Sequence, residues 1–114
     1  MSGNRITTYA DFFPFYLREH SKPTTRAMHY CGTAAEIFCL GALLATGNWW
    51  WLLGAFMAGY GFAWVAHFFI EKNKPATFTY PLWSYIADHH MAGLAFFGRL
   101  KPRLHDAGVA ADRI

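Results

Sequence analysis

Two apolar runs of about twenty residues, set back to back around Gly47-Asn48, constrain this chain more than any other feature. The first runs from Ala27 to Gly47 and is interrupted only by His29, Thr33, Glu36 and Thr46. The second starts at Trp49-Trp50-Trp51 and reaches Glu71. About 20 residues of helix cross the hydrocarbon core of a bilayer. Gly-Asn is a turn signal, and clustered Trp residues mark a membrane–water boundary. The pattern therefore predicts an antiparallel transmembrane hairpin. Composition agrees: only 15% of the residues are charged, against about 25% in a typical soluble domain. Five Trp and eleven Phe point the same way.

The hairpin makes a geometric prediction. In two antiparallel helices that turn near residue 48, facing positions have numbers summing to about 96. His29 and His67 do so, which puts them at one depth. Glu71 follows His67 by four residues and shares its face if the helix is regular. Glu36 lies seven residues after His29, opposite Tyr60 by the same register. Ionisable groups inside membrane helices are costly, so they pair, bind an ion or line a pathway.

The rest of the chain reads as shorter helices. Residues 1–8 are polar and are expected to be loose. Asp11 can cap a short aromatic helix, DFFPFYLREH, suited to the membrane interface. Pro23 bends the chain after His20 and opens the second helix. After Glu71 comes a loop, KNKPATFTYP, and then a last helix, PLWSYIADHHMAGLAFFG. Asp88, His89 and His90 sit in its middle, where an aspartate alone costs roughly 2.5–3.5 kcal/mol on insertion scales. Lys22, Arg26, Lys72 and Lys74 share one end of the hairpin, which the positive-inside rule assigns to the cytoplasm. Arg99, Lys101 and Arg103 follow the last helix, which favours a re-entrant or interfacial placement over a third span. The fold class is thus all-α: a small integral membrane bundle of a hairpin, an N-terminal interfacial helix and a polar third helix, re-entrant or spanning. One domain is expected over residues 1–104, with a disordered tail over 105–114. The first apolar run comes too late for a signal peptide. Small residues Gly41, Gly54, Gly59 and Gly61 suit close helix packing within one chain or in a homo-oligomer.

Some function classes are excluded. Basic residues sit at the edges of apolar blocks, not interleaved with aromatics, so nucleic acid is a poor partner. Cys31 and Cys39 are eight apart within one apolar helix, a poor geometry for a disulfide and too wide for CxxC. No nucleophile elbow, phosphate loop, HExxH or zinc-finger spacing is present. What remains is a metal. Imidazole and carboxylate donors suit iron, zinc, manganese or copper, and two histidines with a carboxylate is a non-haem Fe(II) pattern. The candidate metal ligands are His20, His29, His67 and His90. Glu71 and Asp88 are candidate catalytic or ligand-orienting carboxylates.

The segments FYLREHSKPTTRAMHYCGT and GYGFAWVAHFFIEKNKPATFTYPLWSYIAD closely resemble the Mpo-like membrane family, over roughly residues 9–100. The family's characterised fungal member is an endoplasmic-reticulum 2-hydroxy fatty acid dioxygenase. The resemblance implies Fe(II)-dependent α-oxidation, in which a 2-hydroxy fatty acid and O2 give an acid one carbon shorter and CO2. It implies Fe(II) as cofactor, with histidines mapping onto His20, His29 and His67. At the place where the family pattern has an aromatic residue after the aspartate, this chain has His89 and His90. A bacterial-type short member of such a family would lie in the inner membrane. Two other classes stay open here: a metal-dependent lipid enzyme of different chemistry, and a non-enzymatic metal- or haem-binding membrane protein.

Overall fold

The structure is a computed structural model that describes residues 5–114. Every regular element among them is helical: α1 (Tyr9–Arg18), α2 (Pro23–Thr46), α3 (Trp50–Val65), α4 (Pro81–Phe96) and α5 (Leu100–Ala107). The expected single domain divides into two units. Lys22–Pro75 form one, and the segments on either side of it form the other.

The hairpin unit is α2 and α3 joined by a tight turn. Pro23 opens α2, where a missing N–H costs nothing because the first turn has no intrahelical acceptors. Gly47 ends it in the left-handed region at φ 69°, which glycine tolerates without a Cβ clash, and donates to the Leu43 carbonyl at 2.8 Å. The Asn48 side chain then accepts from the Trp50 N–H at 3.0 Å and starts α3. The helices approach closely at Gly32, where a Cβ would come within 3.1 Å of the Ala58 carbonyl and of Phe62 Cβ.

This unit is built inside out for water. The buried residues of α2 are Thr25, Arg26, His29, Gly32, Thr33 and Glu36. Its apolar side chains face outwards, with Phe38 68% and Leu44 87% exposed. α2, and α3 continued to Glu71, are each long and apolar enough to cross a membrane, and only 28% and 22% of their most apolar windows are buried. A core helix of a soluble protein would hide most of that surface. Monomeric soluble proteins rarely expose contiguous apolar patches beyond a few hundred Å².

Past Val65 the helix widens. Ala66–Glu71 form a π-helical turn, with N–H groups reaching back five residues rather than four, closed by Lys72 in the left-handed region at φ 64°. The sequence reading carried a regular helix to Glu71. Single π-turns of this kind are rare and frequent at functional sites.

The other unit holds α1, α4 and α5, packed on one another. Its core includes Phe12, Tyr16, Leu17, Met91 and Leu104, all nearly fully buried. Thr8, not Asp11, caps α1: its hydroxyl accepts from the Asp11 N–H at 3.2 Å. Pro14 consequently sits inside the helix rather than in its first turn. Residues 1–4 of the expected loose segment lie outside the described residues. Arg5 and Ile6 are tied down instead, donating to the Thr79 carbonyl and the Tyr80 hydroxyl, each at 2.9 Å. The stretch expected to be a disordered tail is also ordered. It begins within α5, buries Ala107 and Val109, and accepts from Arg18 at the Ala107 carbonyl. Its apolar residues are few but fall on one side, which is enough to hold a two-turn helix. At 16 residues α4 is shorter than the roughly 20 needed to span.

Candidate metal centre

The hairpin register delivers the pair that it promises. His29 and His67 come from opposite helices, with ring centroids 5.1 Å apart and planes nearly perpendicular at 87°. Their ligand nitrogens lie within 4.8 Å of one another, and both residues are buried. Lining up two imidazoles on a bundle interior in this way is how helical proteins build metal sites.

Each ring is held by its Nδ1. In His29, Nδ1 lies 3.0 Å from the Thr25 carbonyl oxygen, one turn earlier in α2. In His67 it lies 2.7 Å from Asn73 Oδ1. A carbonyl oxygen can only accept, so Nδ1 carries the hydrogen and Nε2 carries the lone pair. This tautomer, fixed by an oxygen behind the ring, is the arrangement that metal-ligating histidines show. Asn73 is itself positioned by the end of the π-turn, where its backbone N–H donates to the His67 carbonyl at 2.9 Å.

His20 lies in the other unit, at the end of α1, and is 1% exposed. Its Nδ1 is 2.6 Å from the Tyr16 carbonyl oxygen and its ring stacks on Tyr16 at 4.0 Å. The same logic fixes the same tautomer. Two residues further on, the Lys22 N–H donates to Glu71 Oε2 at 2.6 Å, and Lys22 Nζ donates to the Ile70 carbonyl at 2.8 Å. Within the hairpin unit, the buried His29 and His67 offer two imidazole nitrogens that could hold a metal ion. Imidazole donors suit iron, zinc, copper or nickel, so the donor set fits a metal without choosing one.

The remaining candidates have other work. Glu71 does not join the histidine group. One of its oxygens accepts from the Lys22 N–H at the start of α2. Asp88 accepts a short hydrogen bond from the Tyr16 hydroxyl. It thus acts on the residue whose carbonyl orients His20. His90 is not in the metal-capable group either. Its Nδ1 pairs with the Tyr9 hydroxyl at 2.9 Å and its ring stacks on Phe13 at 3.9 Å. Desolvation, and then the charge of Arg103, push His90 below the usual histidine pKa. Desolvation also raises the pKa of its partner Tyr9. The two therefore meet as neutral groups at pH 7, a structural aromatic cluster. His89 makes the same contact to a carbonyl one turn back, Tyr85 at 2.9 Å, at an exposed position. That contact alone is therefore not diagnostic; burial and the facing partner are.

Asn73, which holds His67 from behind, is a residue that sequence reasoning did not single out. Its only signal was its place in the polar tetrapeptide that ends the helix, beside a residue forced into the left-handed region. Removing the Asn73 side chain should free the His67 ring to rotate and take the alternative tautomer. Outer partners of this kind typically contribute about 10–100-fold in metal affinity. Asn73→Ala is expected to weaken metal binding by that order, measured by competition with a chelator, while Asn73→Asp retains it.

A sequence-family profile described as "2-hydroxy-palmitic acid dioxygenase Mpo1-like" matches residues 6–100. No curated protein and no solved structure matches the chain. The profile covers α1 to the start of α5, and with them all three buried histidines. The chain belongs to the Mpo1-like family.

Proposed function

We propose that this protein is a membrane-embedded Fe(II) dioxygenase that shortens 2-hydroxy fatty acids by one carbon, with His20, His29 and His67 as the iron ligands. The observation that carries this reading is the buried His29–His67 pair, each ring locked by its Nδ1, within a hairpin whose outside is apolar. The family description supplies the reaction class.

The balanced reaction is R–CH(OH)–COOH + O2 → R–COOH + CO2 + H2O. The C1–C2 bond breaks, the substrate loses four electrons, and O2 takes all four. No external reductant is required. Iron held by three neutral imidazoles would supply open positions at which O2 and the substrate's carboxylate and 2-hydroxyl come together.

The protein's own residues account for the rest. Uncharged ligands leave the site cationic, which favours an anionic head group. Oxygens behind the rings hold the Nε2 lone pairs on target as charge changes at the centre. The exposed Phe and Leu side chains of α2 and α3 leave an apolar path along which an alkyl chain lies in the bilayer. The end of the hairpin carrying Lys22, Arg26, Lys72 and Lys74 faces the cytoplasm.

The test is a product assay. Protein purified without oxygen in detergent is loaded with Fe(II), then given O2 and 2-hydroxypalmitate. Mass spectrometry should find pentadecanoate. Palmitate has no 2-hydroxyl and should yield no shortened acid. Equal conversion of palmitate would overturn the two-point binding that this reading requires.

A further inference from the structure

The outward face of α4 is exposed among the described residues, and its chemistry is specific. Leu82, Tyr85, Ile86, Phe96 and Phe97 fall on one side of the helix at 100° per residue, with His89 and Gly93 between the two apolar groups on that side. Leu82 is 67%, Phe96 84% and Phe97 73% exposed. Ser84, Ala87 and Met91, the buried residues of α4, lie on the opposite side. The stripe extends over about 21 Å of helix axis. The segments at both ends are basic. Lys72 and Lys74 are exposed just before α4, and Arg99, Lys101 and Arg103 are exposed just after it.

We infer that α4 lies in the plane of the membrane, with Leu82, Ile86, Phe96 and Phe97 dipping into an anionic bilayer surface and Arg99 and Lys101 meeting the lipid phosphates. Three observations favour this over a third span. The helix has only 16 residues. In sequence, cations precede it at Lys72 and Lys74 and follow it at Arg99, Lys101 and Arg103, and the positive-inside rule keeps both sets on one side. Asp88, near its middle, is committed to the Tyr16 hydroxyl, whereas a span would carry it into hydrocarbon. An apolar face flanked by basic residues, on a helix too short to cross, is the pattern of interfacial helices on acidic lipid. The proposal rests on membrane embedding alone and is independent of the chemistry at the histidines.

Depth measurements on the full-length protein test it. Cys31 and Cys39 are replaced by alanine. Single cysteines are then placed at Leu82, Ile86 and Phe96, spin-labelled, and reconstituted in phosphatidylcholine–phosphatidylglycerol vesicles. Relaxation by O2 and by a water-soluble nickel complex reports the depth of each label. All three should lie at one depth, about 5–10 Å below the phosphates. A spread of roughly 20 Å from Leu82 to Phe96 would make α4 a span and overturn the proposal. Labels open to nickel and closed to O2 would put the face in water and overturn it, and dipolar broadening between copies would assign the face to a second chain. Arg99→Gln with Lys101→Gln, or vesicles of phosphatidylcholine alone, should increase nickel access at Phe96. Unchanged access would remove the anionic lipid from the proposal.

Discussion

Replacing His67 with alanine is expected to strip the protein of iron and of product together. The ring is buried, faces His29 and is anchored through Asn73, so nothing nearby can substitute for its nitrogen. Losing a direct ligand should cost more than the roughly 10–100-fold typical of an outer partner. Iron content after gel filtration and pentadecanoate formation from 2-hydroxypalmitate should both fall to background. His29→Ala should do the same, since it removes the other half of the pair. Two controls make the result specific. His89→Ala keeps the burial pattern intact and should retain wild-type iron. His90→Ala breaks the Tyr9 contact and the stack on Phe13, and should lower stability while leaving iron content unchanged. Iron loss in His90→Ala, at preserved helix content, would restore His90 to the ligand set and overturn the site assigned here.

The hairpin and its histidine pair were legible because both follow from translation along regular helices. A Gly-Asn turn fixes the register, and the register fixes which positions face. His20 was legible as one candidate among several from its place before the bend at Pro23, and the family pattern alone set it apart from an interfacial histidine. The π-turn ending at Glu71 was not legible, because periodicity assumes 3.6 residues per turn throughout and a single π-turn leaves no mark in the pattern of apolar residues. The Lys22 N–H that takes the Glu71 carboxylate is a backbone group, which has no signature in sequence. Asp88 and His90 looked like site residues because they are polar in an apolar helix. In the structure they meet Tyr16 and Tyr9 of α1. The ordered residues at Arg5, Ile6 and after His105 were missed for the opposite reason. Their segments are polar overall, and only a few side chains, Val109 among them, attach each to the unit.

Metal exchange should separate redox chemistry from other chemistry at the same site. Three imidazoles do not select iron over zinc, and zinc stands above iron in the general affinity order for such donors. Equimolar Zn(II) is therefore expected to displace Fe(II) and to abolish product, because a d¹⁰ ion has no accessible redox change with which to engage O2. Chelator-treated protein should be inactive, regain activity with Fe(II) under reducing conditions, and remain inactive with Zn(II) despite one bound ion per chain. Helix content should be the same in the iron and zinc forms, since the rings are already held by Thr25, Asn73 and Tyr16 before any ion binds. Pentadecanoate from the zinc form would sink the dioxygenase reading. A different lipid product from the zinc form, with none from iron, would keep the histidine site and assign it to hydrolytic chemistry, where the ion acts through an activated water.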